Sequence, residues 1–486
     1  MDKKLNMEKL IAFCRSRGFI YSGSEIYGGL ANTWDYGPLG VEIKNNIKNA
    51  WWKFFVHEDK NSVGMDGGIL MNPNVWVASG HVAGFSDPLM DCKACKTRHR
   101  ADNLISNSKK GRDIDPDTFS VEELENFIQE KKIGCPNCGK IDWTQIRQFN
   151  LMFKTSRSAV ADTENTVYLR PETAQSQFVN FQNLQRTSRM KIPFGVGQIG
   201  KAFRNEITPG NFIFRTVEFE QMEYQLFCSD ADSLNFYEIY KKKAMEFYTQ
   251  RLGIRKENLR FKDHVNLVHY AKAAVDAEYA YPTKDELVVR PQTTVSKNKA
   301  SSSGAGVTLA PWWGEIGGTH HRGTYDLGNH QNHSNKSMEY QDPVTGEKFV
   351  PTVIESSHGA DRVLLAVIAD AYHEEEIDGE TRIVLKIKYD MAPYKLAVLP
   401  LQKKELGEKA EEVFNIVAKK FATTYDETGS IGKRYRRQDE IGTPFCVTVD
   451  FQTLEDGKVT IRNRDTMQQE RVEIDNITSW IAGKLE

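Results

Sequence analysis

The segment from residue 201 to residue 223 constrains the fold of this chain most, because it predicts a β-hairpin that carries an unusual set of charged side chains. Two strand-like runs flank the sequence Thr-Pro-Gly-Asn at 208–211, which is typical of a turn. Side chains alternate between the two faces of a strand. Arg204 and Glu206 are therefore expected to share one face of the first strand.

The second strand of this hairpin places Arg215, Phe219 and Glu223 on one face by the same alternation. Antiparallel pairing then brings two arginines, an aromatic ring and two carboxylates onto one surface. This surface suits a nucleoside triphosphate, because arginine forks bridge phosphate oxygens and an aromatic ring offers a flat face to a purine. The alternative is a solvent-exposed hairpin with a cross-strand salt bridge and no catalytic role.

Four of the seven cysteines form two Cys-x-x-Cys pairs, Cys92 with Cys95 and Cys135 with Cys138. Each pair can turn two thiolates toward one ion, and two pairs complete a tetrahedral shell of four sulfur ligands. The helix expected near Ser120 falls between the two pairs. We predict a structural zinc site, and the alternative is two turns that bind no metal.

The remaining segments predict a mixture of helices and strands, which indicates an α/β (α+β) protein. Residues 34–56 read as a Gly/Pro turn followed by an amphipathic helix, and residues 230–280 read as helical. Residues 292–306 are rich in Ser, Gly and Lys and read as a flexible loop. After residues 391–394 the pattern alternates between strands and helices, which indicates a separate domain.

The charge balance excludes a protein that holds nucleic acid by net charge alone. There are 64 Lys and Arg residues against 66 Asp and Glu residues, so the formal charge is −2, and any such binding must use local patches. The longest apolar run, 363–369, is far shorter than the ~20 residues that span a bilayer. The N-terminal segment lacks a secretory hydrophobic region. These features predict a soluble, cytoplasmic protein without membrane segments.

Three blocks of the sequence resemble the motifs of class II aminoacyl-tRNA synthetases. Residues 203–206, Phe-Arg-Asn-Glu, with 215–219, Arg-Thr-Val-Glu-Phe, resemble motif 2. Residues 356–363 resemble motif 3, and residues 34–56 resemble motif 1, the dimer-interface helix. Further blocks from about residue 10 to the C-terminus are similar to the family of homodimeric glycyl-tRNA synthetases, among them RPETAQ at 170–175 and CKACKTRHRAD at 92–102.

This resemblance implies a fold and a domain division. The class has an antiparallel sheet flanked by helices, which implies a catalytic domain over residues 1–390. Within it, about 90–145 would form a zinc-binding insertion and about 228–310 a helical and flexible insertion. Residues 391–486 would form an anticodon-binding α/β domain with a mixed sheet.

The resemblance also implies ATP as a substrate and assigns its contacts. Arg204 would lie on the α-phosphate and Arg215 on the γ-phosphate. Arg362 would lie on the adenine face opposite Phe219, and the three arginines are the implied catalytic residues. The implied ATP-binding residues are Arg204, Asn205, Glu206, Phe214, Arg215, Thr216, Val217, Glu218, Phe219, Glu315, Ile316, Gly359, Ala360, Asp361 and Arg362.

Two carboxylates have implied roles at the nucleotide. Glu206 would position the adenine, and Glu315 would lie near ATP and its Mg²⁺, an ion that bridges phosphates while keeping several waters. The implied reaction forms glycyl-adenylate and pyrophosphate and then transfers the glycyl group to the 3′ end of tRNA(Gly).

Glycine has no side chain that a protein could recognise. Its implied site therefore binds the ammonium group with acids and excludes larger amino acids by steric crowding at Cα. Arg100 is the expected basic partner of the substrate, with Arg98 as the alternative. The implied glycine-binding residues are Arg100, Glu172, Phe219, Glu220, Gln221, Met222, Glu223, Glu355, Ser356, Ser357, His358 and Gly359.

The densest basic stretch, 433–437, is expected to contact tRNA through Lys433, Arg434, Arg436 and Arg437, and Arg462 and Arg464 extend the expected patch. The alternative is a solvated charged loop. The implied partners are tRNA(Gly), glycine and a second copy of the chain.

Several further patterns and readings are weighed against this family. Residues 195–200 fit Gly-x-Gly-x-x-Gly, but the predicted turn at 208–211 leaves no room for the helix of a dinucleotide-binding unit. The glycines at 195–200 are therefore expected to form a turn.

Four histidines at 320, 321, 330 and 333 indicate a polar surface segment, with a second metal site as the alternative. A non-catalytic relative would be expected to lose the arginines of motifs 2 and 3, and a synthetase for another amino acid would not need the acidic set.

Overall fold

The computed structural model describes residues 5–111, 114, 116–157, 165–206, 212–264, 267, 271–283, 311–377 and 379–485. The predicted turn at 208–211 and the predicted flexible loop at 292–306 lie outside these residues. None of the helices in these ranges has the length and apolar character needed to cross a membrane.

The strands are short at the periphery and longest in a central sheet. They are β1 Ile20–Ser22, β2 Trp34–Tyr36, β3 Ser62–Gly64, β4 Ser86–Asp91, β5 Arg98–Arg100, β6 Arg147–Asn150, β7 Lys154–Ser156, β8 Thr166–Tyr168, β9 Phe194–Phe203, β10 Glu218–Cys228, β11 Leu259–Asp263, β12 Ala273–Tyr281, β13 Trp312–Gly323, β14 Tyr340–Gln341, β15 Lys348–Phe349, β16 Thr352–Gly359, β17 Tyr372–Ile377, β18 Glu380–Leu385, β19 Leu396–Pro400, β20 Thr423–Tyr425, β21 Phe445–Val449, β22 Lys458–Asn463 and β23 Gln469–Glu473.

The helices surround these sheets. They are α1 Met7–Arg17, α2 Pro38–Trp52, α3 Pro73–Ala78, α4 His81–Gly84, α5 Ala101–Ser106, α6 Val121–Glu130, α7 Ala174–Val179, α8 Phe181–Ser188, α9 Ser233–Glu246, α10 Tyr325–Ser334, α11 Ala360–Ala371, α12 Lys403–Val417, α13 Ile431–Ile441, α14 Phe451–Asp456 and α15 Ile477–Leu485.

A seven-stranded sheet forms the centre of the first 390 residues, with the order β11-β12-β13-β16-β10-β9-β3. All neighbouring strands are antiparallel except β3 and β9, which run parallel. The predicted antiparallel sheet flanked by helices is therefore confirmed. Helix α11 is buried along its length and packs with α2 against this sheet.

The predicted hairpin exists, but its charged residues do not all lie on its strands. Strands β9 and β10 pair from Phe194 with Phe227 up to Phe203 with Glu218. Beyond that point the backbone leaves the ladder, and the Asn205 amide donates to Leu151 O at 2.8 Å. The expectation that Arg204, Glu206 and Arg215 occupy strand faces is thus wrong, because these residues lie in the irregular connection.

The Gly-x-Gly-x-x-Gly segment is part of strand β9 and is not the expected turn. Its glycines are required by close packing. A Cβ on Gly195 would lie 1.7 Å from the Tyr224 hydroxyl, and one on Gly200 would lie 2.2 Å from Arg170 Nη2. This pattern therefore marks a crowded central strand.

The helical reading of residues 230–280 is only partly correct. Helix α9 is present, but β11 and β12 follow it and form one edge of the central sheet. The segment from 273 to 281 has a nearly continuous buried side-chain pattern, which a helical window does not distinguish from a buried strand. Part of the expected insertion at 228–310 therefore belongs to the main sheet.

Residues 86–150 form a lobe of their own. Strands β5-β4-β6 make a three-stranded sheet, and α5 and α6 pack on it around a small apolar core. Ser120 caps the expected helix α6, since its hydroxyl accepts from the Glu123 amide while the Glu123 carboxylate accepts from the Ser120 amide.

The C-terminal residues form a second large unit with a five-stranded sheet in the order β20-β19-β21-β22-β23. Strand β19 pairs parallel with β20 and β21, whereas β22 and β23 are antiparallel, so the predicted mixed sheet is confirmed. Helices α12 and α15 cover its core. The sequence reading missed β20, α13 and β23.

Candidate functional site

A cavity of about 210 Å³ opens on the central sheet where β10, β13 and β16 lie side by side. Most of the residues assigned to ATP or glycine from the sequence line it. They are Glu172, Arg204, Glu206, Phe214, Arg215, Thr216, Phe219, Glu220, Gln221, Glu223, Glu315, Ile316, Glu355, Ser357, Gly359, Asp361 and Arg362.

One end of the cavity is basic and aromatic. The Arg204 guanidinium lies between the rings of Phe85 and Phe219, 5.3 Å from each centroid, and Nε donates to Pro171 O at 3.0 Å. Phe85 was not expected from the sequence, because it precedes β4 in a different segment. Phe219 therefore faces an arginine in this structure, so its expected contact with adenine stays a prediction.

Arg362 closes the opposite side of this end. Its Nη1 donates to Glu315 Oε2 at 2.9 Å, its Nε donates to Phe214 O at 3.0 Å, and its guanidinium stacks on the Phe214 ring. The Arg362 charge offsets the effect of burial on Glu315, so the pKa of this carboxyl lies below its usual value. Glu315 is therefore ionised and, at 46 % side-chain exposure, reachable by a cation.

The connection between β9 and β10 contributes a second ion pair. Arg215 Nε lies 3.9 Å from Glu206 Oε2, and Thr216 lies beside them. Four other residues assigned to ATP lie outside the cavity lining. Asn205 and Val217 act through backbone hydrogen bonds, Glu218 forms an exposed ion pair with Lys201, and Ala360 is buried in α11.

The other end of the cavity is acidic, and Glu223 lies at its centre. The Glu223 carboxylate accepts from Ser357 Oγ at 3.0 Å, from Gln221 Nε2 at 3.0 Å and from Thr173 Oγ1. Burial, reinforced by the nearby charges of Glu355 and Glu172, raises the pKa of Glu223 to about 7. This end therefore holds more negative charge than its cations balance.

Glu355 is the second buried acid of this end. It accepts from Gln225 Nε2 at 2.8 Å, from His320 Nδ1 at 3.0 Å and from Arg322 Nη1 at 3.1 Å. Burial opposes its ionisation, but Arg322 and His320 outweigh that effect and hold the pKa of Glu355 at about 2.

Arg322 was missed by the sequence analysis. It also pairs with Asp326 at 2.8 Å, four residues later, across the turn from β13 into α10. That spacing of opposite charges was the available signal. Arg322 is thus a guanidinium that contacts Glu355 and Asp326 directly, beside the histidines of this end.

Glu172 completes the acidic end. It accepts from Gln175 Nε2 at 2.9 Å and lies 3.5 Å from His81 Nε2. Burial acts against its ionisation, but His81 lowers the pKa of Glu172 below its usual value. The four acids Glu172, Glu223, Glu355 and Asp326 thus outnumber Arg322 and the two histidines beside them, so a ligand that carries a positive charge would be stabilised here.

Strand alternation removes several expected residues from the glycine pocket. Phe219, Gln221 and Glu223 point into the cavity, whereas the Met222 side chain points to the opposite face and is buried in the core. The same alternation on β16 turns Ser356 away, so that its hydroxyl lies 3.1 Å from His358 Nε2. His358 is turned away in the same manner, and its Nδ1 lies 2.6 Å from the buried Tyr248 hydroxyl.

Glu220 and Asp361 join the three motif segments. The Asp361 carboxylate accepts from Lys44 Nζ at 2.6 Å, from the Glu220 amide at 2.7 Å and from Tyr36. Lys44 and Lys48 also contact the Glu220 carboxylate at 3.1 Å. These acids are already neutralised by helix α2, so their side chains act mainly to hold α2, β10 and α11 together.

The two arginines of the CKTRHR block both bind acids of the lobe formed by residues 86–150. Arg100 pairs with Asp87 at 2.9 Å and with Asp102. Arg98 pairs with Asp91 at 2.8 Å and is exposed. Neither lines the cavity, so the structure does not bring Arg100 to the substrate. Burial raises the pKa of Asp87 despite the charge of Arg100, and the nearby carboxylate of Glu206 adds to this shift.

Glycine also forms part of the wall at the acidic end. Gly318 lines the cavity beside His320 and Ser357, and a Cβ on Gly318 would lie 2.5 Å from His320 Cε1. A Cβ on the neighbouring Gly317 would point away from the cavity, toward the buried Tyr248 hydroxyl at 2.3 Å. The wall next to the acids is thus built from Gly318 and the His320 ring, and it lies in a small cavity.

The four paired cysteines converge as predicted. Cys92 Sγ lies 3.6 Å from Cys138 Sγ, and Cys95 Sγ lies 3.6 Å from Cys135 Sγ, with all four sulfurs within 4.8 Å of one another. A tetrahedral zinc with bonds of about 2.3 Å requires sulfurs roughly 3.8 Å apart. Hydrogen bonds from Thr97 lower the pKa of Cys95 to about 5, which favours the thiolate. The donor set fits zinc.

The expected basic patch is mostly internal. Arg434 is 2 % exposed and donates to Pro400 O at 2.6 Å. Arg462 and Arg464 are also buried, and Arg462 pairs with Asp439 at 2.9 Å. The stretch is helix α13, and its helical period turns Arg434 inward and leaves Lys433 outward. The assignment of Arg434 to tRNA, and the extension to 462 and 464, is therefore wrong. The others, Arg436 and Arg437, form exposed ion pairs with Glu380 and Asp426.

Replacing Arg434 by alanine is expected to destabilise the C-terminal unit by about 1.5–3 kcal/mol, because buried carbonyls lose a charged donor. Lys433→Ala is the matched control and should change stability by less than about 0.5 kcal/mol. Urea unfolding of each variant measures this difference, and equal effects of the two substitutions would contradict the buried role.

The histidine cluster is not a surface segment, contrary to expectation. His321 is fully buried with its Nε2 2.9 Å from Ser233 Oγ, and His330 is buried with its Nε2 2.7 Å from Gln175 Oε1. His320 lines the cavity, and only His333 is exposed. The Asn- and Gly-rich sequence between them forms a strand end and a helix in the interior.

The antiparallel sheet, the two arginine-bearing segments on it and the separate mixed-sheet unit define a class II aminoacyl-tRNA synthetase. Family models agree with this class: one described as an anticodon binding domain matches residues 395–484, and one described as glycyl-tRNA synthetase insertion domain 1 matches residues 115–151.

Curated relatives give the particular family. The glycine–tRNA ligases of Caldanaerobacter subterraneus subsp. tengcongensis, Acetivibrio thermocellus and Clostridium acetobutylicum are each 53 % identical to this chain, and each match covers 100 % of both sequences. The chain belongs to the glycine–tRNA ligase family.

Proposed function

We propose that this protein joins glycine to tRNA(Gly) in two steps, with ATP as the activating substrate. The observation that carries the proposal is a single cavity with an arginine-rich end and a crowded end lined by Glu172, Glu223 and Glu355. The first end suits the phosphates of ATP and the second suits a small ammonium ion. Family membership supports the same reaction.

In the first step the glycine carboxylate attacks the α-phosphate, the bond to pyrophosphate breaks, and glycyl-adenylate forms. Arg204 would neutralise charge on the α-phosphate, while Arg215 and Arg362 would hold the outer phosphates. None of these side chains forms a covalent bond, so the rate enhancement would come from positioning and charge stabilisation. The ionised, half-exposed Glu315 would hold Mg²⁺, which supplies further charge neutralisation at the phosphates.

In the second step the terminal ribose hydroxyl of tRNA attacks the glycyl carbonyl, and AMP leaves. The C-terminal unit, residues 391–486, would bind the anticodon, and Lys433 together with Arg436 and Arg437 would contact phosphates from the outward face of α13. Residues 1–390 would form the catalytic domain, with zinc in the four-cysteine lobe. The chain would act as a homodimer through the α2 region, in the cytoplasm where tRNA is charged.

Selection for glycine would rest on exclusion. The ammonium group would lie among Glu172, Glu223 and Glu355, and the wall formed by Gly318 and His320 would exclude a methyl group at Cα. A crowded site rejects a larger ligand by steric clash, which is a stronger effect than the loss of one contact.

ATP–pyrophosphate exchange with each of the twenty amino acids tests this proposal. We expect exchange with glycine and little with alanine. Charging of tRNA(Gly) with labelled glycine then tests the second step. Absence of exchange with glycine, or equal exchange with alanine, would overturn the proposal.

The pKa of Glu223, raised to about 7 by burial and by neighbouring acids, predicts a pH dependence of glycine binding. Below this pKa, Glu223 carries a proton and attracts the ammonium group less. The KM for glycine should therefore rise as pH falls below 7, by up to about tenfold per pH unit for one proton.

The KM for glycine in the exchange reaction, measured between about pH 6 and pH 8, checks this expectation. Glu223→Gln should raise KM at every pH and remove the dependence. Glu257→Gln changes an exposed glutamate far from the cavity and should keep the wild-type profile. A wild-type KM for glycine that does not change between these pH values would show that protonation of Glu223 does not affect glycine binding.

A further inference from the structure

Three potential metal ligands meet on one edge of the central sheet. His264 follows β11, Asp276 lies on β12 and His320 lies on β13, so three adjacent strands contribute one side chain each. One ligand atom from each residue lies within 4.8 Å of the other two. His264 Nε2 and Asp276 Oδ1 are 2.8 Å apart. These residues share no member with the four-cysteine site.

The orientation of His320 is that of a metal ligand. Its Nδ1 donates to Glu355 Oε1 at 3.0 Å, which leaves Nε2 as the nitrogen with a free electron pair. Metal-binding histidines usually donate their other ring nitrogen to a carboxylate in this way, because the hydrogen bond fixes the tautomer and raises ligand basicity. Glu355 is buried and held by several hydrogen bonds, so it fixes the tautomer and orientation of His320 even when no ion is bound.

The three side chains are also accessible. Their exposures are 38 % for His264, 17 % for Asp276 and 29 % for His320. An ion could therefore enter from solvent, and water could occupy a fourth coordination position. Two imidazoles and one carboxylate are a donor set that prefers Zn²⁺ and neighbouring transition metals over Mg²⁺, which prefers oxygen ligands alone.

We propose that His264, Asp276 and His320 bind a second transition-metal ion, Zn²⁺ being the best fit, at a site separate from the four-cysteine zinc. The ion would replace the hydrogen bond that now joins His264 Nε2 to Asp276, and the neutral imidazole would then carry its proton on Nδ1. The site borders the acidic end of the cavity through the contact between His320 and Glu355.

Occupancy of this site would affect glycine. An ion on His320 Nε2 would add positive charge next to Glu355, one of the acids proposed to hold the ammonium group. The ion would therefore weaken glycine binding, and this consequence rests on the proposed function. The metal site itself does not, since it can be measured without any substrate.

Calorimetric titration of the protein, already loaded with one zinc at the cysteines, with ZnCl₂ tests the site directly. We expect one additional ion per chain in the wild-type protein. His264→Ala removes one ligand and should weaken this binding by at least the roughly 10–100-fold that loss of an outer-shell partner costs. His333→Ala removes an exposed histidine outside the cluster and should bind as wild type does.

Cobalt gives an independent signature. Co²⁺ at the second site should produce weak visible bands without the thiolate charge-transfer band of the cysteine site, and His264→Ala should lose them. The proposal would be overturned if the wild-type protein bound no second ion, or if His264→Ala bound it as tightly as the wild type. The three side chains would then form only a hydrogen-bonded cluster without a metal.

The effect on glycine is measured by exchange at low micromolar Zn²⁺. We expect the KM for glycine to rise in the wild-type protein and to stay constant in His264→Ala, which also controls for chelation of zinc by free glycine. If a second ion binds but this KM does not change, the proposed effect on glycine binding is wrong, whereas the metal site itself is supported. Absence of glycine-dependent exchange in the protein that carries only the cysteine-bound zinc would instead count against the proposed function.

Discussion

Arg204→Ala is expected to slow ATP–pyrophosphate exchange by about 10²–10³-fold, the usual cost of removing one donor that stabilises transition-state charge. Arg204 lies at the basic end of the cavity between two aromatic rings. These rings hold its guanidinium in place before substrate binds, so little rearrangement is needed during the reaction. Arg204→Lys should recover only part of the rate, because an ammonium group cannot form the two-pronged contact of a guanidinium.

Lys201→Ala is the matched control for this substitution. Lys201 lies three residues earlier on β9, is also cationic and pairs with Glu218 on the exposed surface. Its removal should change the exchange rate by less than about twofold, since surface ion pairs contribute little. Circular dichroism and thermal melting should show that both variants are folded. An Arg204→Ala variant that keeps more than a tenth of the wild-type rate would remove Arg204 from its central role.

The parts of the fold that local sequence determines were predictable. Helix α2 follows from apolar residues at helical spacing after a Gly/Pro turn, and the two Cys-x-x-Cys pairs meet because each forms its own turn. Strand β10 was recognised for the same reason. In each case the signal lies within a few residues, so no knowledge of distant contacts was needed.

The parts of the structure that depend on contacts between distant residues were not predictable from the sequence. Arg204 leaves the predicted strand because the next amide finds its acceptor at Leu151, more than fifty residues earlier. The sequence predicts Arg434 as a surface cation, but in the structure its guanidinium is buried and donates to the Pro400 carbonyl. Sequence alone identifies a residue type that suits a ligand, but only packing decides whether that side chain faces solvent, a ligand or another part of the chain.

The near-neutral net charge of the chain conceals two opposed regions of one cavity. Arginines 204, 215 and 362 lie at one end, and glutamates 172, 223 and 355 lie at the other. The two ends would attract the phosphates of ATP and the ammonium of glycine respectively, and so orient the glycine carboxylate toward the α-phosphate. The sequence patterns gave these residue types, and strand alternation decided which of them face the cavity.

The four-cysteine lobe, residues 86–150, is connected to the same cavity, so the proposed zinc is predicted to affect activity. Its first strand, β4, follows Phe85, and its last strand, β6, precedes Leu151. Phe85 stacks on Arg204, and Leu151 O accepts from the Asn205 amide at 2.8 Å. Both ends of the lobe therefore hold the motif 2 connection in position.

Cys135→Ala is accordingly expected to abolish zinc binding at the lobe and to slow exchange by up to about 100-fold, the cost of a misplacement of roughly 1 Å at a reacting group. Structural zinc contributes on the order of 10–16 kcal/mol of binding free energy, and the small apolar core of this lobe cannot replace it. The KM for ATP should rise more than the KM for glycine, since the lobe contacts the nucleotide end.

Metal analysis after dialysis, exchange kinetics and amide hydrogen exchange across residues 86–150 measure these effects. Cys446→Ala is the control, because Cys446 is buried in the C-terminal sheet, and it should keep one lobe zinc per chain. Zinc retained by Cys135→Ala would contradict the four-cysteine site. Zinc lost with unchanged ATP kinetics would instead show that the lobe is structurally independent of Arg204. We expect neither, because the lobe is tethered at both ends to the segment that carries this arginine.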